Sequence, residues 1–162
     1  MVFKVIKMAL EISKALNREI ENTLKKYPNK EAALLPLLHL LQKEFGYVKK
    51  EVMELAAERL DVPYSKVKGV ATFYTMYDKK PVGKYHLQVC RNISCSLRGA
   101  EDVLNSIKEH LNMEVGDTNE KFTLSTVECL GACGTGPVMQ VNDDYYEELT
   151  PESVKKILDS LK

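Results

Sequence analysis

Four cysteines, set in two close pairs, are the residues best suited to do chemistry in this sequence. Cys90 and Cys95 frame Cys90-Arg91-Asn92-Ile93-Ser94-Cys95. Cys129 and Cys133 frame Cys129-Leu130-Gly131-Ala132-Cys133, and Gly134-Thr135-Gly136-Pro137 follows at once. A soft metal site needs thiolates that converge, and two loops with a pair each can supply four. Glycine lets the backbone approach such a site, turn through positive φ and aim N–H groups at sulfur. The pattern points to an iron–sulfur cluster of the 2Fe–2S type. Zinc ligands also come in pairs two to four residues apart, so spacing alone leaves a zinc-stapled interaction module open.

Several rivals are excluded. No Cys-x-x-Cys occurs, so a thioredoxin-type redox dithiol is absent. A Rieske centre needs a histidine beside each ligand pair, and His39, His86 and His110 are not so placed. An all-cysteine site of this kind works near about −400 mV. Neither a Walker phosphate loop nor a dinucleotide-binding glycine fingerprint is present, so the chain is expected to bind no nucleotide itself. No residue reads as a catalytic acid, base or nucleophile.

The surroundings of the cysteines carry charge. A helix is expected from about Leu97 to Leu111, which puts Cys95 just before its positive end and favours a thiolate there. Arg91 and Arg98 would add positive charge against an anionic cluster, and Glu128 reads as a solvated strand end. His39 reads as a packed or edge histidine, and His86 and His110 as structural. The run Phe73–Tyr77 reads as core, and Asp143-Asp144 as part of a turn.

The elements that must position these thiols fall into two halves, an α+β arrangement. The first half is helical. Residues from about Glu11 to Lys26 place Ile12, Ala15, Leu16, Ile20 and Leu24 on one stripe, ended by Tyr27-Pro28. A second helix from about Lys30 is apolar nearly all round and should be the buried centre. Within it Pro36 either kinks the helix or sits in its first turn, and Gly46 stops it. Lys50 to Leu60 forms a third helix, and Ser65 can cap a short fourth through Val67, Val70 and Ala71. Asp78 to Gly83 reads as a linker, giving a helical domain over 1–78 and a second domain over 84–162.

In the second half the period changes. Tyr85 to Cys90 alternates like a strand, and Phe122 to Glu128 is another. Val138–Asn142 and Tyr145-Tyr146 form a hairpin. Thr150-Pro151 opens a last helix, with Val154, Ile157, Leu158 and Leu161 inward. The order is that of a thioredoxin-like α/β unit with a mixed sheet. A right-handed βαβ crossover makes the first two strands parallel, so their C-terminal ends share an edge. Cys90 ends one strand and Cys129 follows the other, so the topology brings the pairs together.

Composition sets limits. The chain has 162 residues, 44% of them hydrophobic, enough for one domain or two small ones. Lys plus Arg number 23 and Asp plus Glu 23, so the basic excess of a nucleic-acid binder is missing. No run reaches the length of a membrane span. The start, Met1-Val2-Phe3-Lys4-Val5-Ile6-Lys7, is broken by lysines and lacks a small-residue cleavage site, which argues against a secretory signal. Four cysteines in a cytoplasmic chain point to metal before disulfides.

The cysteine pattern, with Pro137-Val138-Met139-Gln140-Val141-Asn142-Asp143 after it, resembles the thioredoxin-like 2Fe–2S subunit of respiratory complex I, from its NADH-oxidising flavoprotein module. Leu34-Leu35-Pro36-Leu37-Leu38, Gly46-Tyr47 and Gly69-Val70-Ala71-Thr72-Phe73-Tyr74 extend the likeness, from about Glu19 to Leu161. The resemblance implies one 2Fe–2S cluster on Cys90, Cys95, Cys129 and Cys133. It implies an electron-transfer subunit of an NADH dehydrogenase, peripheral to the inner membrane, whose cluster exchanges single electrons with a flavin. FMN and NADH would sit only on a partner flavoprotein subunit. Related subunits serve NAD-linked hydrogenases and formate dehydrogenases, and a free-standing ferredoxin is a further reading. Family members often carry Ala before the proline, where this chain has Gly136.

Overall fold

A computed structural model describes residues 10–162. The opening stretch Met1 to Lys7, on which the signal-peptide reading rests, lies outside the described residues. The chain divides into two compact units, one ending at Pro81 and the other spanning Val82–Lys162. Among the described residues no helix is long and apolar enough to cross a membrane.

Among the described residues the regular elements of the first unit are helices. Helix α1, Lys14–Leu24, starts later than its apolar stripe suggests because Ser13 caps it, its hydroxyl accepting from the Leu16 N–H at 3.0 Å. Its inward residues are Leu16 and Ile20. A 3₁₀ turn, Glu31–Ala33, leads into α2, Leu34–Phe45. Pro36 is the third residue of α2, where an N–H has no partner within the helix, so the first turn accommodates it. Leu34, Leu37, Leu38 and Leu41 are buried, while His39 faces outward with its ring tilted over Tyr77 at 5.1 Å. Gly46, at φ 80, ends the helix, as L-residues with a β-carbon rarely do.

Helix α3, Lys50–Leu60, buries Val52, Met53, Ala56, Ala57 and Leu60. Helix α4, Tyr64–Phe73, starts after Pro63 rather than at Ser65, which lies inside it. The proline holds an extended backbone (ψ 141) and so sets the boundary. The aromatic run is not core as a whole. The inward stripe of α4 is Val67 and Ala71, so Phe73, 78% exposed, falls outside it, and Tyr74 and Met76 are also exposed. Tyr77 alone goes in, fully buried, its hydroxyl donating to the Leu35 carbonyl at 2.8 Å. Gln42 holds this return segment at both ends of its amide, donating to Met76 O and accepting from the Asp78 N–H.

The second unit is a four-stranded mixed sheet in the order β2-β1-β3-β4. Strands β1, Tyr85–Cys90, and β2, Phe122–Val127, run parallel, with Cys90 opposite Val127. Strand β3, Met139–Val141, pairs antiparallel with β1 and turns at Asn142-Asp143 into β4, Asp144–Tyr146. Between β1 and β2 the helix expected as one piece is two: α5, Ile93–Leu97, and α6, Ala100–Leu111. Gly99, at φ 93, breaks them. Helix α7, Pro151–Ser160, opens on a capping box in which Thr150 and Ser153 satisfy each other's backbone N–H groups. Leu87, Val89, Val103, Ile107, Leu124, Met139, Val154 and Leu158 form the core of this unit. A smaller apolar cluster of Cys90, Cys95, Ala100 and Val138 lies apart from it.

Candidate metal centre

Each thiol is placed by a different local device. Cys90 is the last residue of β1, and its N–H donates to Val138 O at 3.0 Å, while the Arg91 N–H donates to Val127 O at 3.0 Å. The ends of β1 and β2 and the approach to β3 therefore meet at Cys90. Its Sγ lies 3.9 Å from the Glu128 carbonyl oxygen, one residue before Cys129. Cys95 is the middle residue of α5. That turn is fixed by the Asn92 side chain, which accepts from the Ile93 N–H at 2.8 Å, and by Ser96, whose hydroxyl donates to Arg91 O at 2.9 Å. Cys90 and Cys95 are 3% and 2% exposed, whereas Cys129 and Cys133 are exposed.

The loop carrying the second pair is built from backbone contacts. The Gly131 N–H donates to Cys129 Sγ at 3.3 Å, with Gly131 at φ 75. Cys133 opens a 3₁₀ turn, Cys133–Thr135. Behind it the Glu148 N–H donates to Thr135 O at 2.7 Å and the Leu149 N–H to Pro137 O at 3.1 Å. Tyr145 donates its hydroxyl to Leu130 O at 3.2 Å, and Arg98 donates through Nη1 to Gly134 O at 3.0 Å. The sequence carries no local signal for these last two contacts, because each joins residues that no periodicity relates.

Electrostatics differ from the expectation in one respect. Cys95 sits within a five-residue helix instead of ahead of a long one, so the dipole argument for its thiolate fails. Burial instead pushes its thiol pKa up, and the adjacent Cys90 sulfur adds to this; Cys133 is also close enough to act on it. A buried thiol of this kind becomes a thiolate when a cation or cluster takes its proton's place. Arg91 is engaged by Glu128, donating to its carboxylate from Nε at 2.9 Å and Nη2 at 2.5 Å.

The residues present fit an iron–sulfur group. All four cysteines are free thiols, an all-sulfur and soft donor set. Gly136 forms part of a cradle: a β-carbon there would stand 3.0 Å from Cys95 Sγ. Its φ of −65 suits any residue, so the close approach alone makes glycine fitting at this position. Among the described residues no three His, Cys, Asp or Glu side chains gather closely enough to hold a single ion. The thiols instead form a buried pair and an exposed pair on facing loops.

The family of thioredoxin-like [2Fe-2S] ferredoxins matches the chain over residues 20–162. The E subunit of NADH-quinone oxidoreductase from Rickettsia conorii is 47% identical over 147 residues, covering 88% of each chain. An E subunit of NADH-quinone oxidoreductase from Rhizobium meliloti is 42% identical over 149 residues, covering 91% of this chain and 89% of that one. Among solved structures, an NAD+-reducing [NiFe]-hydrogenase in the H2-reduced state is similar in fold, with a TM-score of 0.66 at 14% identity. The likeness covers 77% of this chain but 22% of the hydrogenase chain. On the match across residues 20–162 and the identity to these relatives, the chain belongs to the thioredoxin-like [2Fe-2S] ferredoxin family.

Proposed function

We propose that this chain is an electron-transfer subunit of an NADH–quinone oxidoreductase, and that Cys90, Cys95, Cys129 and Cys133 hold its single 2Fe–2S cluster. The observation that carries the reading is the meeting of two cysteine loops at the common C-terminal edge of β1 and β2, in a chain of this family. A bound cluster of this type supplies one-electron transfer at low potential. The chain's own residues do the rest. Buried Cys90 and Cys95 anchor the site in the apolar cluster with Ala100 and Val138. Exposed Cys129 and Cys133 leave two sulfurs where a partner can come close. The Gly131 N–H offsets negative charge on the Cys129 sulfur.

The partner in this reading is the flavoprotein subunit that binds FMN and NADH, because the sequence has no phosphate-binding or dinucleotide-binding loop. The subunit would work at the cytoplasmic side of the inner membrane, held there through other subunits. The name shared by the relatives favours this parent complex over a hydrogenase or formate dehydrogenase. The test is to purify a tagged chain from its own cells at native level. A complex containing FMN, whose cluster absorbance bleaches on adding NADH, supports the assignment. A chain that purifies alone and bleaches with dithionite but not NADH refutes it in favour of a free-standing ferredoxin.

A further inference from the structure

Arg98 stands at the junction of α5 and α6. Its Nη1 donates to the Gly134 carbonyl at 3.0 Å. Cys95 lies three residues before Arg98, and Cys133 directly precedes Gly134. This single bond therefore joins the two segments that carry those thiols. The segments are already close: α5 packs on the turn Cys133–Thr135, and a β-carbon on Gly136 would stand 3.0 Å from Cys95 Sγ.

Arg91 makes the contrast. Both arginines flank the cysteines, but the Arg91 guanidinium is matched by the Glu128 carboxylate. Arg98 donates to a neutral carbonyl and meets no carboxylate among the described residues. A hydrogen bond from a full charge to a neutral acceptor is strong and leaves the charge uncancelled. The planar fork of arginine fixes direction as well, which an ammonium does not.

We propose that Arg98 is the positioning residue of the iron–sulfur centre: it locks the Cys133 loop to the Cys95 helix and keeps a positive charge beside them. The inference rests on the ligand assignment above. An uncancelled cation next to the site favours the reduced, more anionic state over the oxidised one. Being exposed, this charge is screened by salt.

The test compares Arg98→Met and Arg98→Lys with the native full chain, each loaded with iron and sulfide. Midpoint potential is read by spectroelectrochemical titration at low and high salt. Cluster loss is read as bleaching by an iron chelator. Arg98→Met is expected to have a midpoint more negative than native, with the gap narrowing as salt rises, and to bleach several-fold faster. Arg98→Lys is expected to recover most of the potential but only part of the resistance to bleaching. If Arg98→Met sheds its iron before titration while keeping native helix content, the clamp is supported and Arg98→Lys carries the charge test. An Arg98→Lys midpoint as negative as that of Arg98→Met, or, where Arg98→Met holds no cluster, an Arg98→Lys shift that is the same at low and high salt, overturns the role of charge. Native potential and native bleaching in Arg98→Met overturn the proposal, while a native chain without iron and labile sulfide overturns the ligand assignment beneath it.

Discussion

Removing the cysteines one at a time should separate two effects that the site combines. Each of Cys90→Ala, Cys95→Ala, Cys129→Ala and Cys133→Ala removes one thiolate, so each should lose or destabilise the cluster and its visible absorbance. The apoprotein should respond unequally. Cys90 and Cys95 are 3% and 2% exposed and pack with Ala100 and Val138. Deleting a buried group of methylene size forfeits about 0.8 kcal/mol of transfer free energy and leaves a small cavity, so each should cost about 1–2 kcal/mol. In a unit of this size each kcal/mol lowers the melting point by about 4–8 °C. Cys129 and Cys133 are exposed, and their removal from the apoprotein should change stability by less than about 0.5 kcal/mol. The assay is guanidinium denaturation of the reduced apoproteins, followed by circular dichroism. The reasoning is refuted if Cys129→Ala destabilises the apoprotein as much as Cys95→Ala, or if any of the four keeps an unchanged cluster spectrum.

Three further outcomes follow from the rest of the molecule. Burial, with a smaller contribution from the Tyr74 phenol, pushes the Tyr77 pKa up to about 12. The fold thus favours the neutral phenol, so its stabilising effect is full below about pH 10 and is lost as pH rises through about 12. Ultraviolet titration should show a late-ionising tyrosine component that is absent in Tyr77→Phe. A β-carbon on Gly83 would lie 2.7 Å from the Phe122 backbone N and C and 2.8 Å from Asn119 O, atoms that cannot swing aside. Gly83→Ala should cost about 1–3 kcal/mol, and an unchanged denaturation midpoint would contradict this. Thr150→Ala should lose about 1 kcal/mol by breaking the capping box, whereas Thr150→Ser should keep it.

Much of the fold was legible because periodicity and punctuation agreed. Helix α3 runs from Lys50 to Leu60, between the bounds its apolar spacing suggests, and β1 covers Tyr85–Cys90. The shared edge of the two cysteine loops follows from topology: a strand, a helical crossover and a parallel strand leave both C-terminal ends on one side. The errors fell where a single residue overrides a pattern. Gly99 splits a helix whose apolar positions run on regardless, and so moves Cys95 off the end of a long helix. Pro63 sets the start of α4 ahead of Ser65. Composition alone could not tell that Tyr77 is buried while Phe73 and Tyr74 are not, since that depends on where α4 stops. The contacts Tyr145–Leu130, Arg98–Gly134 and Gly136–Cys95 are set by how loops fold back, and neither spacing nor residue type encodes them locally.

The most direct test of the central claim is low-temperature EPR of the dithionite-reduced protein, with iron and acid-labile sulfide counted on the same sample. A brown-red protein with about two irons and two sulfides per chain, and a signal from one unpaired electron after reduction, is the expected result. A colourless protein that holds zinc and no labile sulfide contradicts it.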